Sequence, residues 1–407
     1  MFSYQDAYST VKEYGQEHVL QFYHRLSQRQ KDELLDDLQS ISFESLPFAP
    51  PVYSSDDADE YSVLDACDIQ KISLNKETYE ATGYSLIKEG QLAVLILAGG
   101  EGSRLGFDHP KGMLNVGTSR PLYLFEILFN RIAEVSKAVN RWIPIVIMTN
   151  PVRHSEIIRF FEEHSYFSYS KEHVFFFAQD LLPAIDYEGK IIMRTPNRLA
   201  MSPDGNGHWF KKMEETGLLS KLNYLGVKWM NVVAIDNVLQ QPADPTFFGA
   251  TYLSKRKCGA KVVARAYATE KVGVLCNHNS RPSIVEYFEA ESIMHETLDS
   301  GVLKYRYGVI LNYLFDLHEL KRADASHMPI HLSKKKIPFC NAQGETVVPL
   351  KENGYKMETL IIDMIELLGS CLPYEVIRDD EFSPIKNRTG VDSLESAQRV
   401  LLAKGVI

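Results

Sequence analysis

Apolar and polar positions along the chain fall into several regimes. From Ala7 to Leu26 and from Gln30 to Leu38, apolar residues recur every three or four positions among strong helix formers, which predicts helices. Leu46-Pro-Phe-Ala-Pro-Pro51 and the acidic Ser54-Ser-Asp-Asp-Ala-Asp-Glu60 break that rhythm and read as an extended linker or a surface-hugging segment. Between about residues 90 and 300, short unbroken apolar runs alternate with helical patterns. The clearest runs are 92–97, 143–148, 174–177, 229–235 and 259–264. Such runs suit strands buried on both faces, so an open α/β sheet is expected. Residues 113–130 read largely as helix, as do about 357–368 and 393–403 among short strand-like pieces in the last part of the chain. There is no internal repeat, and the pattern divides into three blocks: an N-terminal helical region with its linker (1–88), a central α/β domain (89–325) and a smaller C-terminal α+β domain (326–407).

The strand over 92–97 runs directly into Leu97-Ala-Gly-Gly-Glu-Gly-Ser-Arg-Leu-Gly-Phe-Asp-His-Pro-Lys111. Gly99, Gly100 and Gly102 lack a Cβ, so the backbone can turn sharply and lie against a base or a phosphate with its N–H groups free to donate. Arg104 and Lys111 then place charge where a polyphosphate would lie. Two other readings compete. A dinucleotide fingerprint would want an acid about twenty residues further on, whereas the next strand ends in Thr149-Asn150. The lack of a G-x-x-x-x-G-K-[ST] string argues against a P-loop NTPase.

In open α/β sheets ligands gather beyond the carboxyl ends of the strands. Asp236 follows the run ending at Ile235 and is placed to offer a hard oxygen to a metal-bound triphosphate, although a strand-end Asp also serves as a turn or helix cap. Pro203-Asp-Gly-Asn-Gly207 is a tight turn that permits close approach, and turn chemistry explains it equally well.

Composition narrows the partners. With 407 residues the chain can bury a large interior, and a net charge of -9 argues against a general nucleic-acid or anionic-membrane binder, so cations should act locally. Cys67, Cys258, Cys276, Cys340 and Cys371 are scattered without C-x-x-C spacing, which suits buried free thiols in a reducing compartment. Met1-Phe-Ser-Tyr-Gln-Asp6 lacks the basic start and apolar core of a secretory signal, and no apolar run approaches a membrane span, so the cytoplasm is the expected address.

Taken together, the strings resemble the eukaryotic UDP-N-acetylhexosamine pyrophosphorylases from about residue 90 onward. Besides the glycine loop and Pro110-Lys-Gly-Met113, they are Gln179 before Leu182-Pro-Ala184, Ser202-Pro-Asp-Gly-Asn-Gly207, Val233–Asn237, Cys258-Gly-Ala-Lys-Val-Val263, Val285-Glu-Tyr287, Lys335-Lys-Ile-Pro338, Gly354-Tyr-Lys-Met-Glu358 and Glu381-Phe-Ser-Pro-Ile-Lys-Asn387. The resemblance implies a Rossmann-like, GT-A-like nucleotidyltransferase fold built on a mixed sheet. It also implies uridylyl transfer from UTP to N-acetylglucosamine 1-phosphate, giving UDP-N-acetylglucosamine and pyrophosphate, with Mg²⁺ as cofactor and Mn²⁺ as an alternative. Leu97, Ala98, Gly99, Gly100, Gln179 and Gly205 would hold the uridine, and Arg104 and Lys111 the β and γ phosphates. Asp236 would carry the metal near the α phosphate, Lys356 and Lys386 would reach over from later in the chain, and Asn206, Glu286 and Tyr287 would line the sugar pocket.

The chain departs from that family in places. Ser103 stands where Thr is usual, Asp180 where Gly is common, and His208 where a small residue is frequent. Arg306 and Val309 occupy the positions of two asparagines that would contact sugar hydroxyls, which bears on the acceptor more than on the donor. A UDP-glucose or broad-range UDP-sugar pyrophosphorylase is the alternative enzyme. A non-catalytic UTP or UDP-sugar sensor is the alternative of another class.

Overall fold

The computed structural model describes residues 2–48, 60–287 and 291–407, so most of the acidic linker read from the sequence lies outside the described residues. The chain forms two compact units: Met1–Asp57, Gln179–His208 and Met328–Leu360 make the first, and Ala58–Ala178, Trp209–His327 and Ile361–Ile407 the second. Both cut across the three consecutive blocks expected from the sequence, and the last block is divided between them.

The second unit is built on a ten-stranded mixed sheet. Its centre is parallel, in the order Trp229–Ala234, Leu92–Ala98, Ile145–Thr149, Val174–Ala178. Every residue of Leu92–Ala98 and Ile145–Thr149 is buried, as their unbroken apolar character requires. Tyr307–Asp316 adds antiparallel to Trp229–Ala234, Cys258–Ala264 pairs antiparallel with Tyr307–Asp316, and Leu372–Glu375 closes that edge in parallel. The parallel strands therefore end on one edge, at Ala98, Thr149, Ala178 and Ala234.

Buried amides fix the irregular chain that follows Ala234. Asn231 Nδ2 donates to Asn312 Oδ1 at 2.7 Å and its Oδ1 accepts from the Ala243 amide at 2.8 Å, while Asn312 Nδ2 donates to the Gln241 carbonyl at 3.1 Å. Leaving any of these groups unpaired in the core would cost about 1–3 kcal/mol, so the crossing has one arrangement.

Helix limits differ from the sequence reading where turn chemistry overrides periodicity. The expected helix over 7–26 stops at Glu13, because Gly15 takes φ +66°, and continues only as short 3₁₀ turns at Glu17–Leu20 and Tyr23–Arg25. The helix expected from 113 begins at Leu124, and the one expected from 357 begins at Asp363, since Gly354–Glu358 is a strand.

In the first unit the N-terminal helices Tyr4–Glu13 and Gln28–Gln39 each open with a serine capping box, at Ser3 with Asp6 and at Ser27 with Gln30. Their apolar faces, with Ala7, Val11, Leu34 and Leu38, share a core with Ile185 and Met357 of the antiparallel sheet His331–Lys335, Gly354–Glu358, Ile185–Asp186. All five cysteines are free, and four of them are buried. Among the described residues no helix is long and apolar enough to cross a membrane.

Two glycines set a close helix crossing in the second unit. A Cβ on Gly83 of Ile69–Lys88 would lie 1.8 Å from the Pro245 carbonyl oxygen, and one on Gly249 of Pro245–Leu253 would lie 1.8 Å from the Tyr79 carbonyl oxygen. Alanine at a helical glycine gains about 1 kcal/mol of propensity, but backbone overlap of this kind falls at or beyond the upper end of the roughly 1–3 kcal/mol cost of overpacking. Gly249→Ala is therefore expected to lower the urea midpoint of unfolding. A raised midpoint would show that the helices can part without loss.

Candidate active site

The glycine loop leaves the strand Leu92–Ala98 and folds back on itself. The Gly102 amide donates to the His109 carbonyl at 3.2 Å and the Lys111 amide to the Gly100 carbonyl at 3.2 Å, while Glu101 and Pro110 form an antiparallel bridge. Gly102 is required here because a Cβ would come within 2.6 Å of the Phe107 carbonyl oxygen. Among the described residues nothing lies within 4 Å of the place a Gly100 Cβ would take, so that backbone is open to a flat group. Leu97 and Ala98 have buried side chains, so any ligand contact they make is through the main chain. The far arm of the loop meets an ion pair from Asp108 to Arg153 at 3.2 Å and a hydrogen bond between His109 Nδ1 and Glu156 Oε1 at 2.6 Å.

Lys111 and Asp236 meet, with Nζ donating to Oδ2 at 3.1 Å, although they stand far apart in sequence. The lysine is 13% and the aspartate 25% exposed, so the pair sits at the rim of the strand edge with a carboxylate still open to solvent. The C-terminal segment carrying Lys386 is stitched to the same place. The Ile385 amide donates to the Asp236 carbonyl at 2.8 Å, the Val238 amide to the Ser383 carbonyl at 3.1 Å, and Asn237 Nδ2 to the Glu381 carbonyl at 2.7 Å.

Beneath this strap lies Lys261, fully buried, with its ammonium 2.7 Å from Asp244 Oδ2 and 2.7 Å from Glu381 Oε2. Burial opposes the charged ammonium, but the two carboxylates outweigh it and hold its pKa above the ordinary lysine value. Lys386 itself is exposed. Close by in the chain, burial raises the Asp392 carboxyl above its ordinary pKa against the opposing charge of Lys386.

In the first unit the turn 204–207 is zipped to Thr359. The Asn206 and Gly207 amides both donate to the Thr359 carbonyl at 3.0 Å, and the Thr359 amide and hydroxyl donate to the Asp204 carbonyl at 2.7 and 2.9 Å. Gly205 takes φ +85°, and a Cβ there would lie 2.2 Å from the Thr359 carbonyl oxygen. Its own carbonyl accepts from Gln179 Nε2, which orients that amide. His208 is explained by Asp204: its Nδ1 lies 2.9 Å from Oδ2 of this buried carboxyl, whose pKa burial raises. Lys356 is exposed on its strand, opposite Ser333.

Of the residues expected at the sugar, Glu286 and Tyr287 follow the strand Arg281–Val285 in the second unit. A Cβ on Gly273 would lie 2.7 Å from Ile284 Cγ2 and 3.5 Å from both Glu286 Oε1 and Val309 Cγ2, which places the Glu286 and Val309 side chains about the same glycine. Tyr287 is exposed, with Lys271 Nζ 6.0 Å from its ring centroid. Arg306 is engaged elsewhere. Its Nη2 donates to the Tyr307 hydroxyl at 2.7 Å and lies 3.7 Å from Glu375 Oε2, with the guanidinium 4.9 Å from the Tyr307 ring centroid.

Sequence reasoning missed Thr359, Asp244 and the buried role of Lys261. No local pattern marks them, because each acquires its partner from a distant stretch. Among the described residues no group of three or more His, Cys, Asp or Glu could hold a metal by itself. A single carboxylate such as Asp236 does fit Mg²⁺ when phosphates complete the shell, since that ion commonly takes one or two carboxylates and keeps its other positions for phosphate and water.

A parallel strand edge carrying a glycine loop, two cations and one acid is the layout of a nucleotidyltransferase. The model of the family described as UTP--glucose-1-phosphate uridylyltransferase matches residues 56–401, and the chain belongs to that family. It is 33% identical to UDP-N-acetylhexosamine pyrophosphorylase-like protein 1 of Homo sapiens, over 99% of this chain and 85% of that protein. It is also 33% identical to the UDP-N-acetylglucosamine pyrophosphorylase of Saccharomyces cerevisiae, over 97% of this chain and 88% of that one. The solved UDP-N-acetylglucosamine pyrophosphorylase of Trypanosoma brucei, in complex with an inhibitor, superposes with a TM-score of 0.79 at 28% identity, covering 95% of this chain and 82% of that chain.

Removing the Lys261 charge leaves two largely enclosed carboxylates, Asp244 and Glu381, without their shared cation. Lys261→Met is expected to cost about 3–5 kcal/mol, as for other broken buried ion pairs, and Lys261→Met/Glu381→Gln to recover part of it. Urea unfolding of the two variants measures this; equal stability of Lys261→Met and the parent protein would contradict it.

Proposed function

We propose that the chain is a UTP:N-acetyl-α-D-glucosamine-1-phosphate uridylyltransferase. The observation that carries this reading is the Lys111–Asp236 pair, set beside the glycine loop and bonded through the main chain to the segment bearing Lys386. A phosphate oxygen of the sugar 1-phosphate attacks the α phosphorus of UTP in line, the α–β phosphoanhydride bond breaks, and pyrophosphate leaves with that electron pair. The attacking group is already an anion, so the protein supplies alignment and neutralisation, and no covalent protein nucleophile is needed. The same groups serve the reverse reaction.

The main chain at Leu97, Ala98, Gly99 and Gly100, with Gln179 and Gly205, holds the uridine. Arg104 and Lys111 take the β and γ phosphates, and Lys356 and Lys386 supply further charge. Asn206, Glu286 and Tyr287 contact the sugar, with Val309 beside Glu286 offering shape in place of a hydrogen bond. Asp236 would hold Mg²⁺, or Mn²⁺, which when bound neutralises phosphate charge. Free buried thiols support residence in the reducing cytoplasm.

Pyrophosphate release from UTP, Mg²⁺ and a panel of sugar 1-phosphates tests the reading. N-acetylglucosamine 1-phosphate is expected to be the favoured acceptor. A hexose 1-phosphate used better would favour a UDP-glucose or broad-range enzyme, and uridine nucleotide binding without release would favour a sensor. Arg104→Ala and Lys111→Ala are each expected to lower turnover on the order of a hundredfold, the usual loss for a charge contact made in the transition state. Asp236→Asn preserves shape and removes charge, so the Mg²⁺ titration should shift to higher concentration; an unchanged titration removes Asp236 from the metal site.

Val309 makes gluco and galacto acceptors hard to tell apart, because an apolar side chain does not reject a displaced hydroxyl as a hydrogen-bonding one does. The ratio of kcat/KM for the two epimeric 1-phosphates is expected to be small and to rise in Val309→Asn. A large ratio untouched by that change would place epimer selection elsewhere.

A further inference from the structure

Lys386 is not the last cation that the C-terminal strap delivers. Two residues on, the Arg388 guanidinium reaches the glycine loop, with Cζ and Nη1 both 3.9 Å from the position a Cβ at Gly106 would take. Gly106 has φ +72° and lies between Arg104 and Lys111, so a cation from the far end of the chain rests on the loop that carries the other two.

Its place is fixed by the backbone around it. Ile385 is bonded to Asp236, the Lys386 and Asn387 amides donate to the Asp392 carbonyl at 2.6 and 2.9 Å, and Asn387 Nδ2 donates to the Val391 carbonyl at 2.8 Å. Residues 387–392 thus form a closed turn with Arg388 on it.

The charge balance is the second observation. Lys111 has Asp236 as a counterion, whereas among the described residues no carboxylate lies within 4.0 Å of Arg104, Arg388 or Lys386. Two guanidinium groups on and against one loop, neither with a carboxylate in direct contact, repel one another and favour an anion between them. A guanidinium also offers a planar fork of donors that matches two phosphate oxygens, which an ammonium does not.

We propose that Arg388 is a further catalytic residue that binds the departing pyrophosphate, acting with Arg104 of the loop on which it rests. The inference rests on the uridylyl-transfer reading above. It assigns Arg388 to the leaving group rather than to the nucleoside or the sugar.

The test is pyrophosphorolysis of UDP-N-acetylglucosamine by the full chain, with Arg388→Ala and Arg388→Lys, together with calorimetric binding of pyrophosphate and Mg²⁺ to each protein. Loss of a charge-assisted contact predicts a rise of about tenfold or more in the KM for pyrophosphate in Arg388→Ala, with the KM for UDP-N-acetylglucosamine within about twofold of the parent. Arg388→Lys should recover part of the loss. An unchanged pyrophosphate KM overturns the proposal, as does a parallel rise in both KM values with a lowered Tm, which would mark a structural role. A parent protein that catalyses neither direction refutes the uridylyl-transfer reading instead; equal pyrophosphate binding by parent and Arg388→Ala would then refute the role of Arg388 separately.

Discussion

Much of the second unit is organised by one buried charge. Taking the Lys261 ammonium out of water costs several kcal/mol unless carboxylates come with it, and they come from two distant stretches of chain. Asp244 uses Oδ2 for Lys261 and Oδ1 to cap the helix Pro245–Leu253, accepting from the Thr246 and Phe247 amides. Glu381 brings the strap that runs past Asn237 and Asp236 to Lys386. A single strand residue thereby couples the helix that crosses Ile69–Lys88 at its glycines to the segment bonded to the strand edge at Asp236.

This arrangement separates two uses of charge. Inside, Lys261 is matched by Asp244 and Glu381 and does structural work. At the rim, Lys111 is paired with Asp236, while among the described residues no carboxylate lies within 4.0 Å of Arg104 or Arg388. On a chain of net charge -9, cations without a direct counterion on one loop give a local positive potential without making the whole surface attractive to anions.

The first unit reaches comparable definition by hydrogen bonds to backbone. Thr359 binds both ends of the turn 204–207, so Gly205 and Asn206 are presented in one conformation, and His208 engages one oxygen of the buried Asp204 carboxyl. Its other oxygen, Oδ1, has no partner among the described residues. The histidine that departs from the family pattern is thus tied to the turn that bears the expected ligand residues.

The sequence by itself determined the parallel centre of the sheet and the glycine loop. Unbroken apolar runs have no stable alternative to burial on both faces, and a loop with Gly102 and Gly106 has backbone states few other sequences share. It also singled out Arg104 and Lys111 as charges beside such a loop, which have little packing purpose, whereas Asp236 at a strand end could equally have been a cap and Lys386 stood out only through the family resemblance. Helix limits were less legible: Gly15, the extended stretch before Leu124 and the strand Gly354–Glu358 each overrode a plausible periodicity. What only the tertiary structure decided is which distant groups meet. Nothing local in Cys258-Gly-Ala-Lys-Val-Val263 says that its lysine is buried, and nothing in Thr359 or Arg388 says that one closes a turn and the other lies on the glycine loop. Burial and pairing are properties of neighbours in space, so they become readable only when the chain has brought residues 236, 261 and 381 together.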